Sequence, residues 1–89
     1  MNYNETRVLY KRYVDVITLI RKEGQLLPLY MVWESRGDRK LYKIDKVYRI
    51  RKAASEVGGC GILYECRIDG KDRNLFYEKD RWFLESYRP

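Results

Sequence analysis

Turn-forming residues interrupt this chain so often that no apolar pattern in it reaches the length of a stable helix. Lys22-Glu23-Gly24-Gln25, Ser35-Arg36-Gly37-Asp38-Arg39, Asp69-Gly70-Lys71-Asp72 and Lys79-Asp80-Arg81 all read as turns. The runs between them are rich in β-branched residues and tyrosine, as strands are. They are Tyr13–Ile20, Leu27–Glu34, Lys40–Ile50, Ile62–Ile68, Asn74–Glu78 and Trp82–Tyr87. Pro28 cannot donate to a ladder, which confines its end of the second run to an edge or a strand start. In the third run Ile44, Val47 and Ile50 recur at gaps of three, which strict alternation forbids. A bulge near Asp45-Lys46 would restore the faces.

Eighty-nine residues make one domain, with residues 1–7 expected to be a loosely ordered N-terminus. Short strands on short connections must close on themselves or leave long edges exposed. The fold expected is therefore all-β, a small barrel of five to six strands. An SH3-like meander and an OB-like barrel compete. Lys52–Val57 is the only helix-friendly stretch, and its Ala53–Val57 part lies where an OB-fold carries its helix. One turn before Gly58-Gly59 is too short to plug a barrel, which favours the SH3-like form with one short helical turn.

The stretch Val57-Gly58-Gly59-Cys60-Gly61 makes the strongest case for a chemical site. It lacks the Lys-Ser/Thr ending of a nucleotide-binding loop, and a strand follows where that motif needs a helix. The glycines are read as turn chemistry at a strand entry. Cys66 shares a face with Ile62, Tyr64 and Ile68, as a small buried hydrophobe would. On one strand Cys60 and Cys66 lie about 20 Å apart, beyond the ~7 Å a disulfide tolerates. The chain has no histidine, so the commonest general base and metal ligand is missing, and two cysteines are too few for a structural zinc site. No two acids are drawn together by spacing. A non-enzymatic protein without metal, cofactor or small-molecule substrate is expected.

Charge supplies the positive signal. Residues 39–52 hold Arg39, Lys40, Lys43, Lys46, Arg49, Arg51 and Lys52 against Asp45 alone, which accounts for the whole net charge of +6. On a small barrel such a local surplus is the footprint of a polyanion partner, DNA or RNA, with Tyr48 placed as a stacking ring. Lys43, Arg49 and Arg51 form the expected outward row. The bland reading is a solvated strand that guards an edge, its charge cancelled by Glu34, Glu65 or Glu78 from neighbouring strands. A protein–protein adaptor, or a domain that binds copies of itself, is the alternative function. Trp33 and Trp82, at strand ends, are read as structural. The longest apolar run, Leu29–Trp33, falls far short of the ~20 residues of a membrane span, so a cytoplasmic protein without membrane contact is expected.

The spacing of Met31-Val32-Trp33-Glu34, Gly37, Tyr42-Lys43-Ile44-Asp45-Lys46-Val47 and Trp82-Phe83-Leu84-Glu85 resembles a group of small uncharacterised bacterial β-barrel proteins. These share an aliphatic-Trp hairpin, a Y-x-I-x-x-V strand and a terminal aromatic strand. The likeness covers most of residues 13–86, takes in the GGCGI stretch, and rests on packing residues. Genes of that group sit beside those of translesion DNA polymerases, so the resemblance implies a DNA-repair setting. Circular dichroism should show a strand-dominated spectrum. Helix beyond about a fifth of the chain would refute the barrel.

Overall fold

Hairpin chemistry closes the chain into a ring of strands. In the computed structural model, which describes residues 8–87, the strands are β1 (Tyr10–Ile20), β2 (Leu26–Ser35), β3 (Asp38–Ala54), β4 (Cys60–Ile68), β5 (Lys71–Glu78) and β6 (Arg81–Ser86). Each pairs antiparallel with the next, and β6 returns to β1, giving a closed barrel of six strands. Arg36-Gly37, Asp69-Gly70 and Lys79-Asp80 are two-residue turns with positive φ at both positions. That backbone matches the right-handed twist of the flanking strands. The expectations for residues 1–7 lie outside the described residues. Among the described residues no helix is long and apolar enough to cross a membrane.

The longest strand, β3, belongs to both walls of the barrel. Asp38–Lys43 pair with β2, and Ile44–Ala54 pair with β4. Two register shifts lie near the start of the second half, one at Asp45 and one at Tyr48. Each inserts an extra residue, so Ile44, Val47 and Ile50 all turn inward despite their spacing of three. The bulge expected near Asp45 is present, and a second one completes the bend. Pro28 stands near the start of β2, before Tyr30, the first residue paired with β3, so its β3 side is an edge, as expected. It is buried within β2 opposite Thr18, beside a register shift that leaves Leu29 unpaired. The bulge and the edge together spare the ladder the missing N–H.

The interior is filled by Met31, Ile44, Tyr64, Cys66, Ile68, Leu75, Trp82 and Leu84. Trp82 packs between Tyr64 and Tyr77 at centroid distances of 5.0 and 4.8 Å, and the Tyr64 hydroxyl donates to the Leu26 carbonyl (2.7 Å). A second apolar cluster lies on the outer face of β4, β5 and β6. Phe76 and Phe83 stack there at 5.0 Å beside Leu63. Ala53 and Val57, from the β3–β4 connection, pack against it.

That connection corrects the expected helical turn. Ala53 and Ala54 pair with Gly61 and Cys60 as the end of β3, and no helix forms among the described residues. Ser55–Gly59 is a tight turn in which the Gly58 N–H donates to the Ser55 carbonyl (3.1 Å). Gly58 and Gly59 have φ of 100° and 82°, which end any helical course. Strand pairing and the apolar cluster outweigh the weak helix propensity of two alanines.

Closure is incomplete at several places among the described residues. β6 pairs with β1 only through Tyr10–Val14, and β4 meets β3 only from Ile44. Beyond those points β1, and before them β3, each carry one edge without a ladder partner among the described residues. One contact crosses the second gap, the Asp69 N–H donating to the Lys43 carbonyl (3.2 Å).

Gly61 marks the closest approach of the β3–β4 hairpin to β5. A Cβ added there would lie 2.5 Å from the Tyr77 carbonyl oxygen, a backbone atom. Gly61→Ala should therefore cost about 1–3 kcal/mol, as overpacking does. A thermal melt should register it as a fall of roughly 4–8 °C per kcal/mol.

Candidate nucleic-acid interface

The basic strand is divided by its own bulges. Before the bend Arg39 pairs with Glu34 (3.2 Å) and Asp15 (3.6 Å), so that guanidinium is neutralised by β2 and β1. After the bend Arg51 meets Glu65 of β4 at 2.9 Å. Lys40 lies opposite Trp33 and Lys52 opposite Ile62, in register with residues that pack toward the interior. Neither belongs to the outward row.

The remaining candidates gather on the outside of the bend. Lys43 stands opposite Tyr30, Lys46 opposite Arg67, and Arg49 opposite Glu65. All three side chains are exposed, and none joins an ion pair among the described residues. Tyr48, about half exposed, donates its hydroxyl to Asp72 (3.0 Å), while the Lys46 ammonium sits 5.5 Å from its ring centre. The carboxylate of Asp45 turns away and accepts from the Gly70 N–H (3.0 Å), tying the β4–β5 turn to the bend. Of the anticipated outward row, Lys43 and Arg49 remain free of carboxylates and Arg51 does not.

Arg67 is the residue that sequence reasoning missed. Alternation along β4 does put it outward, but only the register brings it directly opposite Lys46. Like charges opposed across a ladder destabilise it slightly, and here Asp72 of β5, opposite Arg67 on its other side, offsets part of that cost. Of the three acids suspected of cancelling the strand, Glu34 and Glu65 do so in part, whereas Glu78 instead meets Lys11 (3.6 Å).

The glycine-rich turn has its backbone donors occupied from within. Glu85 of β6 accepts from the Ser55 hydroxyl and the Glu56 N–H, both at 2.8 Å. Glu78 of β5 accepts from the Cys60 N–H (2.9 Å), and a Cβ on Gly59 would lie 2.7 Å from its carboxylate. A turn built this way can cradle an anion, and here the anion is a pair of the chain's own carboxylates. No group of three or more metal-ligating side chains is assembled among the described residues. In comparisons with known proteins, no family model, curated protein or solved structure matches this chain.

The two cysteines occupy opposite environments, with Cys60 exposed, Cys66 buried and both thiols free. The Cys66 thiol lies 3.7 Å from the Arg73 carbonyl, and burial, followed by the nearby Asp72 charge, pushes its pKa up to about 12. A thiol reagent should label Cys60 alone in the folded protein, and both after denaturation. Between about pH 9 and about 12 the unfolded thiol is ionised while the folded one keeps its proton, so stability should fall as pH rises through that window. Chemical denaturation of Cys66→Ala across it should lose that component of the slope.

Proposed function

We propose that the protein is a non-enzymatic nucleic-acid-binding module that tracks a phosphate backbone along the outer bend of β3. The observation that carries this reading is the direct opposition of Lys46 and Arg67, neither in an ion pair among the described residues. Phosphates bridging the two would turn their repulsion into attraction. Lys43 and Arg49 extend the same outward row, and Tyr48 offers a ring against which an unpaired base stacks. Arg39 and Arg51 play a smaller part, since their carboxylate partners must be displaced first. A DNA-repair setting is part of the proposal and rests on the resemblance to the bacterial group alone.

A second reading, an adaptor or self-associating domain, has its own support. The outer face of β1, β2 and β3 exposes Ile17, Tyr30 and Leu41 around the half-buried Val32. Contiguous apolar surface of this kind marks protein contacts.

Retention of single- and double-stranded DNA and RNA at two salt concentrations separates the readings. Four engaged side chains predict a log–log salt slope of about −3 to −4 on duplex and nearer −3 on single strands. Lys46→Glu with Arg67→Glu should abolish retention and leave the circular dichroism spectrum unchanged. Wild-type protein that binds no polyanion at low salt, or a folded double variant that binds as before, overturns the nucleic-acid reading.

A further inference from the structure

Two of the unpaired edges differ in how they are protected. That of β3 carries Arg39, Lys40 and Lys43, charges of the kind that keep edge strands from pairing with other chains. That of β1 begins at Asp15 and continues as Val16-Ile17-Thr18-Leu19-Ile20, five residues with no charge and no proline. Its Ile17, Leu19 and Ile20 are 48%, 46% and 67% exposed. The register shift beside it puts the extra residue in β2, so β1 itself stays regular. On the side away from β2, Val16–Ile20 have no backbone partner among the described residues. An edge with these properties is a template for another strand.

We propose that this edge pairs with the same edge of a second copy, antiparallel and centred on Thr18, to form a two-fold dimer with a sheet continuous across both copies. This deepens the self-association reading and does not depend on nucleic-acid binding. The choice of occupant and of register comes from charge. A two-fold axis normal to the sheet keeps each face on its own side, so a residue can oppose only one of its own alternation. Centring on Ile17 sets Asp15 against an apolar Leu19. Centring on Leu19 sets Asp15 against Glu23 and Ile17 against Arg21. Centring on Thr18 sets Asp15 opposite Arg21 of the second copy, twice by symmetry, with Ile17 opposite Leu19 and Val16 opposite Ile20 between them. Asp15 is 72% exposed in its 3.6 Å contact with Arg39, and Arg21 is 50% exposed in its 2.9 Å pair with Glu23, so each exchanges or shares a partner within its own chain to meet the second copy. A groove of about 450 Å³, lined by Asp15, Val16, Asp80 and Arg81 among others, lies beside the point where the incoming Arg21 arrives and offers it a second carboxylate.

Sedimentation of the full chain across a wide concentration range tests this. The mass should move from 10.9 kDa toward twice that value. Ile17→Lys places a charge on the exposed seam and should weaken association at least about tenfold, by analogy with charges that guard natural edges. Arg21→Asp should weaken it as well, and Asp15→Arg with Arg21→Asp should restore it, because the swap re-forms both cross-strand pairs. Circular dichroism on each variant establishes that it folds. A wild type that stays monomeric throughout overturns both the dimer and the self-association reading. A dimer whose charge-swapped form associates no better than Arg21→Asp alone overturns the proposed register while self-association stands.

Discussion

Everything in this fold hangs on β3 having to serve two walls of the barrel with one strand. A regular strand of 17 residues would run past the barrel or leave one wall unpaired. The extra residues at Asp45 and Tyr48 bend it and keep Ile44, Val47 and Ile50 on the inside. The same insertions throw Lys46 and Arg49 outward around the bend. The device that closes the core thereby also gathers the charge, and the candidate interface is the convex side of a packing solution.

The outer wall of β4, β5 and β6 shows how a small barrel adds to a limited interior. Phe76, Phe83 and Leu63 would leave an apolar patch open to water. The β3–β4 connection covers them with Ala53 and Val57, and two carboxylates on flanking strands hold that cover in place through its backbone N–H groups. Charge-assisted bonds to main-chain donors are among the stronger hydrogen bonds available to a protein. The outer face of β1, β2 and β3 has no such cover among the described residues. It ends in an edge of β1 that carries no charge from Val16 to Ile20, and this asymmetry between the two walls is what points to self-association.

Much of this was legible in the sequence because turns and alternation are local. The dipeptides Arg36-Gly37, Asp69-Gly70 and Lys79-Asp80 marked three of the five reversals between the described strands. Tyr64, Cys66 and Ile68 fell on the buried face that alternation assigned them. The break in periodicity at Ile44, Val47 and Ile50 required a bulge near Asp45 before any pairing was known. What local pattern misjudged was the Ala53–Val57 stretch, where helix propensity was outweighed by pairing with Cys60 and Gly61. Leu63, on the nominally outer face, is buried for the same reason, since the hairpin that covers it is distant in local pattern but adjacent in space.

The sequence by itself determined the class of fold, the position of the hairpins, the inertness of Cys66 and the concentration of charge in residues 39–52, because each depends on residues within a few positions of one another. Only the tertiary structure decided which of those charges remain free. Arg39 and Arg51 are cancelled by Asp15, Glu34 and Glu65 across strands, while Arg67 is delivered opposite Lys46. Register between strands sets these meetings, and register comes from closing the whole ring, which no single segment of the chain contains.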